Sequence, residues 1–230
     1  MDSASVSTRL EHLQNNIGEI AFHKQLIFTF LGSFFLHLIV VMVLINQPIA
    51  LDDMFQYDML ARSLKEGNGF RWYSKSDVEI LRPYYSQFLD IDHLAFPEKG
   101  LPTAFRAPGY PFFLALLYNF VPNSFRFVVA RIAQAALAAV LAPATAFLGH
   151  QIGLPRTAYL LSAIGISLYP ILLFYPIGLA SENLYILLGT LSVVSIYLST
   201  QKQSPGWVIL AGLLCGTTML SRSIFAMSTI

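Results

Sequence analysis

The sequence predicts an all-α integral membrane protein built as a polytopic helix bundle, and three observations lead to this fold class. The 230 residues are 55% hydrophobic and only 12% charged, whereas an average soluble domain carries about 25% charged residues. The mean hydropathy is +0.59, and long uncharged stretches recur along the chain. Such stretches are helices in lipid, because each backbone group must be satisfied within its own segment. This composition excludes an ordinary soluble enzyme, a disordered chain and a nucleic-acid-binding protein.

Uncharged stretches between successive charged residues place five membrane spans. The stretch from Lys24 to Asp52 leaves 27 uncharged residues, and the stretches after Arg131 and Arg156 leave 24 and 25. Two more stretches, on either side of Lys202, leave 19 residues each. A helix needs about 20 apolar residues to cross a bilayer. The predicted spans therefore cover about 26–46, 127–149, 157–178, 183–200 and 206–226.

A further apolar stretch, between Arg106 and Arg126, is predicted not to cross. Prolines flank it, and its continuous apolar part runs only from Gly109 to Val121. Thirteen residues rise about 20 Å as a helix, which is short of a hydrocarbon core about 30 Å thick. We therefore expect a juxtamembrane, non-spanning helix over 108–121, inside a long first loop.

Positive charges orient the predicted bundle. No small-residue cleavage site follows the first apolar run. Residues 1–25 are therefore expected to be an uncleaved cytoplasmic segment. With a non-spanning 108–121, Arg9, Lys24, Arg156 and Lys202 all lie on the cytoplasmic side, as the positive-inside rule requires. The loop 47–126 and the turn that contains Glu182 then face outward.

The outer loop 47–126 holds nine of the thirteen acidic residues, so polar chemistry is expected there. Its opening, DDMFQYDMLARSLKEGNGF, predicts a short helix that Asp52 or Asp53 caps and that Gly67-Asn68-Gly69 ends. The aromatic pairs in the same loop suit a segment that lies on the lipid headgroups. These pairs are Trp72-Tyr73 and Tyr84-Tyr85.

Two acidic positions are candidates for catalysis. Asp52 and Asp53 directly follow the first span, where an acid can cap a helix, hold a divalent metal ion, or deprotonate an attacking hydroxyl. Glu182 stands between 25 and 19 uncharged residues, and an acid at a membrane boundary usually has a partner or a task. The alternative for Glu182 is a place in the first turn of a helix capped by Ser181.

Arginines at the membrane boundary are candidates for binding a phosphate. Arg106 opens the segment RAPGYPFF, where its guanidinium could hold a phosphate in a fork. Arg222 is the one charge in the last 28 residues, and it could reach the outer interface or a phosphate there. Arg131, near the outer end of the second span, is a third candidate of this kind. A plain contact with lipid headgroups is the alternative for each.

Two further patterns carry weaker predictions. Asp90-Ile91-Asp92-His93 holds metal-ligand residue types, but no second cluster supplies the remaining ligands of a metal site. Gly212 and Gly216 form a G-x-x-x-G motif, and Ala135 and Ala139 form a small-residue face. Both are typical of close helix packing inside one bundle.

The order of these features resembles the N-terminal part of polytopic glycosyltransferases of the GT-C fold. The similar segments are DDMFQYDMLARSLKEGNGF, RAPGYPFFLA, VARIAQA, YPILLFYPIGLASENLY and GLLCGTTMLSRS. The nearest groups are relatives of the dolichyl-phosphate-mannose–protein mannosyltransferases, among them the lipid A aminoarabinose transferase and the Rgt-type sugar transferases. Members usually have more spans, so the resemblance implies the first portion of such an enzyme.

The resemblance implies transfer of a sugar from a polyprenyl-phosphate donor to a lipid, glycan or protein acceptor. The reaction takes place outside the cytoplasm, at a bacterial inner membrane. In the family pattern the catalytic acid precedes a tyrosine by four residues, which fits Asp53 and Tyr57, with Asp52 as the adjacent candidate. The second acid matches Glu182, and the arginine before Pro-Gly-Tyr-Pro matches Arg106. Tyr110, in that motif, and Arg222 complete the expected substrate contacts.

The competing class of function is not enzymatic. The chain could be a lipid-binding or transport subunit, whose boundary acids serve the passage of ions or substrates, or an inactive truncated fragment of a transferase. Transport usually needs more polar residues within the spans than Arg131, Glu182 and Arg222 supply. A transferase, by contrast, needs only a polar site at one membrane face.

Overall fold

The computed structural model describes the backbone of residues 3–85 and 96–222 and the side chains of 19–84 and 96–222. Within these ranges the protein is almost entirely helical. The helices are α1 (Ser3–Val43), α2 (Asp53–Lys65), α3 (Lys75–Tyr85), α4 (Gly109–Tyr118), α5 (Arg126–Gln151), α6 (Arg156–Ser167), α7 (Pro170–Phe174), α8 (Ser181–Lys202) and α9 (Pro205–Ser221). Two short strands, β1 (Arg71–Trp72) and β2 (Leu101–Pro102), pair antiparallel.

Three helical segments of the described chain are long and apolar enough to cross a membrane. They are Glu19–Val43 of α1, Asn123–Gln151, which includes α5, and Ser181–Lys202, which is α8. All three satisfy their backbone groups internally, as a lipid environment requires. The prediction of an all-α chain with apolar helices of spanning length is therefore confirmed.

A bent pair of helices passes the same length and hydropathy test when its two parts are taken together, as a broken span or a re-entrant loop. The segment Arg156–Ser167 continues into Pro170–Ile177 at an angle of 50°. Pro170 causes the break, because a proline offers no backbone N–H to the preceding turn and disfavours a helical residue before it. The last part, Tyr175–Ile177, is a single 3-10 turn. A straight helix over 157–178, as the uncharged stretch alone would suggest, is not formed.

The remaining apolar helices are shorter. Helix α4 has ten residues, and at about 1.5 Å per residue it is too short to span a bilayer. Helix α9 has 17 residues and belongs to the predicted span 206–226, whose last residues lie outside the described chain. The fifth span and the membrane orientation therefore remain predictions.

Small residues pack the bundle on one helix and not on another. On α5, Ala135, Ala138 and Ala139 are buried, so a close helix contact forms as predicted. On α9, a methyl group added to Gly212 or Gly216 would meet nothing within 4 Å. The prediction that this G-x-x-x-G motif packs inside the bundle is wrong for the described part of the chain.

The outer loop folds onto the bundle through a buried ion-pair cluster. Asp58 on α2 is fully buried and accepts hydrogen bonds from Arg62 Nε at 2.9 Å, Arg126 Nε at 2.8 Å and Tyr118 Oη at 3.1 Å. Arg62 also binds Asp77 at the start of α3, with a distance of 2.5 Å between Nη2 and Oδ1. These contacts join α2, α3, α4 and α5, so they fix the position of α2 on the bundle.

Candidate active site

A polar cavity of about 190 Å³ lies where α2, the start of α4, the start of α8 and the end of α9 meet. Five of the seven side chains predicted for the site line it. They are Asp53, Tyr57, Arg106, Glu182 and Arg222. Phe105, Ala107, Ser181 and Ser221 complete the wall. Residues from four distant parts of the sequence thus form one site.

One side of the cavity carries an ion pair between Asp53 and Arg106. Nη2 of Arg106 donates to Oδ1 of Asp53, and its Nε donates to Oε1 of Gln56 at 2.8 Å. The same guanidinium lies 5.5 Å from the ring centre of Tyr57, at a distance typical of a cation–π contact. The Asp53 side chain is 60% exposed, so its carboxylate is accessible to a ligand while Arg106 is held in place.

The opposite side carries a second ion pair. Nη1 of Arg222 lies 2.5 Å from Oε1 of Glu182, and the other carboxylate oxygen accepts from Ser181 Oγ at 3.4 Å. Ser181 in turn accepts a hydrogen bond from the Tyr57 hydroxyl at 3.2 Å. Tyr57 therefore connects the two ion pairs, since its ring contacts Arg106 and its hydroxyl contacts Ser181.

Two close contacts bring these helices together. A Cβ on Gly178, just before α8, would lie 2.7 Å from Cε of Met54 in the first turn of α2. A Cβ on Gly109, at the start of α4, would lie 2.8 Å from the Leu220 carbonyl oxygen at the end of α9. At Gly109 the neighbouring atom is backbone, so only glycine allows this close approach, whereas at Gly178 it is the end of the flexible Met54 side chain.

Arg131 and Gln134 hold the backbone beside the site. The Arg131 side chain donates to the carbonyl oxygens of Ile177 at 2.7 Å, Gln47 at 2.5 Å and Ile45. Gln134 donates to the Gly178 carbonyl at 2.8 Å. The Ile177 and Gly178 carbonyls lie at the end of the turn that follows α7, and the Ile45 and Gln47 carbonyls lie just after α1. All four are outside α-helix, and the buried side chains satisfy them.

Arg131 was predicted to meet a phosphate or headgroups, and the structure assigns it to backbone carbonyls instead. Its side chain is buried and does not line the cavity. The role of Gln134 was missed altogether. Its place three residues after Arg131, on the same helix face, is the sequence signal that could have indicated a shared function.

Two predicted site residues lie outside the cavity. Asp52 is the N-cap of α2, and its Oδ1 accepts a hydrogen bond from the Met54 amide at 3.0 Å. Helix capping was one of the roles considered for Asp52 and Asp53. Tyr110 is fully buried behind Tyr57, with ring centres 4.9 Å apart, and its hydroxyl donates to Gln134 at 2.8 Å. Burial raises the pKa of the Tyr110 hydroxyl well above its ordinary value, so it remains a donor to Gln134. Tyr110 therefore supports the site and does not contact a ligand in it.

Glu182 lies in the first turn of α8, although Ser181 is not its cap. The helix begins at Ser181 and Ala180 takes the cap position. A carboxylate in a first turn is stabilised by the positive end of the helix dipole. Glu182 therefore has both roles: it lies in the first turn of α8, and it lines the cavity.

The chemistry that this cavity can support is acid–base chemistry on an anionic ligand. It holds two carboxylates and two guanidinium groups. Among the described side chains, no group of three or more histidines, cysteines or acids could hold a metal ion. The segment Asp90-Ile91-Asp92-His93 lies outside the described residues.

Fold and site together define an all-α membrane protein with a charged cavity at one end of its bundle. Comparison with family models, curated proteins and solved structures finds no match to this chain. The function is therefore argued from the residues and their geometry.

Proposed function

We propose that the protein is a membrane glycosyltransferase that moves a sugar from a polyprenyl-phosphate donor to an acceptor hydroxyl on the extracytoplasmic face. The single observation that carries this proposal is the convergence of Asp53 with Arg106, and of Glu182 with Arg222, on one cavity. A base and a phosphate-binding cation are the two groups that such a transfer requires. The GT-C resemblance pointed to the same residues from the sequence.

The donor phosphate would bind the arginines. Arg106 already uses Nε and Nη2 for Gln56 and Asp53, so a phosphate oxygen would bind at its Nη1. A guanidinium fixed by such contacts is preorganised for charge that develops on a leaving group. Arg222, at the end of α9, offers a second cation on the other side of the cavity.

Asp53 would act as the base in a single displacement. The acceptor O–H gives its proton to the Asp53 carboxylate, and the oxygen forms a bond to the anomeric carbon. The bond from that carbon to the phosphate oxygen breaks, and polyprenyl phosphate leaves with the bonding electrons. Attack from the face opposite the bond that breaks gives inversion at the anomeric carbon. Glu182 would orient the acceptor or hold a divalent metal ion.

The experiment that tests this proposal compares two adjacent acids. Asp53→Asn should abolish sugar transfer from a polyprenyl-phosphate donor, because an amide cannot take the acceptor proton. Asp52→Asn is the matched control, since Asn caps a helix about as well as Asp and Asp52 lies outside the cavity. Transfer is measured with radiolabelled donor in membranes that carry the protein. Normal transfer by the Asp53 variant, or equal loss in both variants, would overturn the assignment.

The transport alternative finds less support in the described bundle. Two of the buried polar side chains between the helices, Arg131 and Gln134, bind backbone carbonyls. Four charged residues, Asp53, Arg106, Glu182 and Arg222, gather in one cavity where helix ends meet. That arrangement favours a reaction at one membrane face over a path through the membrane.

A further inference from the structure

Three aromatic side chains lie together beside the cavity. The ring centres of Trp72 and Tyr73 are 5.3 Å apart, and those of Trp72 and Phe105 are 5.7 Å apart. Phe105 is 70% exposed. We call Trp72, Tyr73 and Phe105 the aromatic platform. Phe105 is thus the exposed member of the group, whereas Trp72 and Tyr73 are half-buried.

Local structure holds this platform rigid. Trp72 pairs with Leu101 between β1 and β2, and a Cβ on Gly100 would lie only 2.5 Å from the Trp72 carbonyl oxygen. Tyr73 has a positive φ of 51°, a left-handed conformation that a bulky residue adopts only where its surroundings impose it. Strain of this kind clusters at binding sites more often than elsewhere.

The platform packs against α2 on one side. Trp72 and Tyr73 pack against Phe55 and Met59 of α2, and the Tyr73 amide donates to the Met59 sulfur at 3.4 Å. Helix α2 also carries Asp53 at its first position. The rings and the proposed base are therefore fixed to the same helix.

The platform adjoins the charged cavity through Phe105. This residue lines the cavity, and the Arg106 guanidinium lies 5.1 Å from its ring centre. A ligand on the platform would thus have aromatic faces beneath it and the Asp53–Arg106 pair at its edge. Aromatic side chains give a large contact area with little loss of conformational entropy.

We propose that the aromatic platform binds a sugar ring of a glycan acceptor and directs one of its hydroxyl groups to Asp53. The inference rests on the proposed function and adds the acceptor class. A pyranose ring presents a face of C–H groups that stacks on aromatic rings, and hydroxyl groups around its rim that bind carboxylates and guanidinium groups. An acyl chain would match the rings but not the charged edge, and a peptide would not need three adjacent aromatic groups.

Tryptophan fluorescence gives a direct test, because the chain has two tryptophans. Trp207 lies at the start of α9, at the opposite end of that helix from Arg222. In a Trp207→Phe background, Trp72 is the sole tryptophan emitter. The full chain in lipid nanodiscs is titrated with maltopentaose, chitotetraose and mannotetraose. At least one should change the Trp72 emission in a saturable way, and Phe105→Ala should raise its apparent Kd about tenfold or more.

Phe120→Ala is the matched control. Phe120 is 78% exposed and follows α4 outside the cavity, so its removal should leave the apparent Kd unchanged. No saturable response to any of the three sugars would overturn the inference, as would equal binding by the Phe105 variant. Saturable binding of a serine-containing peptide in place of the sugars would overturn it too. Quenching of Trp72 by nanodisc lipids brominated in the acyl chains would assign the platform to the membrane instead.

Different results would overturn the inference and the proposed function. In Asp53→Asn, transfer should stop while the fluorescence response to the sugar persists. Transfer that persists in Asp53→Asn removes the catalytic proposal but leaves the fluorescence result to decide the platform. Transfer that depends on Asp53, without sugar binding at Trp72, removes only the platform.

Discussion

Asp58 offers the sharpest test of how the outer loop is held on the bundle. Its carboxylate is fully buried and meets two guanidinium groups and one hydroxyl, at 2.8 to 3.1 Å. Replacement by Asn keeps the shape but removes the charge, and it leaves Arg62 and Arg126 without their shared partner. Breaking a buried pair in this way costs about 3–5 kcal/mol.

The surrounding contacts reduce that cost. Arg62 keeps Asp77 at 2.5 Å, and Arg126 keeps the Asn123 carbonyl at 2.8 Å. The pKa of the Arg62 guanidinium is raised: burial opposes its charge, but Asp58 and Asp77 outweigh that effect. Arg62 stays charged in the variant because a guanidinium is not deprotonated in proteins. We therefore expect Asp58→Asn to lose about 3 kcal/mol, at the lower end of the range for a broken buried pair. For a chain of this size that is a fall in Tm of about 6–12 °C.

The assay is thermal unfolding in detergent, followed by circular dichroism and by protease cleavage of the outer loop. Glu79→Gln is the control, because Glu79 pairs with Arg82 at the surface of α3 with its side chain 54% exposed. An exposed pair contributes about 0–1 kcal/mol, so the Tm of the control should change little. An Asp58 variant that unfolds at the same temperature as the control would refute the idea that this cluster anchors the loop.

Three further predictions concern the helices around the cavity. Gly109→Ala should lower transfer activity at least several-fold, because the added Cβ would lie 2.8 Å from the Leu220 carbonyl oxygen. Gly212→Ala is the control and should keep its activity, since Gly212 has open space around it. Equal activities of the two variants would contradict this prediction. Arg131→Lys should lower the folded fraction in size-exclusion chromatography almost as far as Arg131→Met, since an ammonium group cannot reach three separate carbonyls as the guanidinium fork does. A Lys variant as well folded as the parent would disprove that role. Burial, and then Asp58, raise the pKa of Tyr118, so its contribution to stability is complete below about pH 10 and is lost as the pH rises above it; Tyr118→Phe should flatten this alkaline fall in a Tm-against-pH series.

Much of the architecture follows from the sequence because it depends on neighbouring residues. The uncharged stretches gave the long apolar helices α1, α5 and α8, since the requirement for internal hydrogen bonds acts within each segment. The short helix after the first span was also predictable, because Asp52 supplies a local cap and Gly67 allows the left-handed turn that follows. Helix α3 and the β1–β2 pair were not predicted, as their stability comes from contacts with α2.

The polar groups between helices show where sequence reasoning fails. Arg131 resembles a headgroup or phosphate ligand when only its place at a span end is known. The structure gives it to the carbonyls of Ile45, Gln47 and Ile177, more than forty residues away in sequence, because the ends of α1 and of the turn after α7 leave acceptors that no local pattern indicates. Tyr110 was likewise assigned to substrate by its motif, although its hydroxyl is needed by the buried Gln134.

The sequence by itself determined the class of protein, the apolar helices and the acidic and basic residues worth examining, since composition and spacing act over a few turns. Only the tertiary structure decided which of those residues meet. Asp53 and Arg106 are 53 positions apart, Glu182 and Arg222 are 40 apart, and Tyr57 and Ser181 are 124 apart. Such pairs form because Gly109 lets the start of α4 approach the end of α9 closely and because the Asp58 cluster fixes α2 on the bundle. These contacts depend on the packing of whole helices, which no short segment of the sequence specifies.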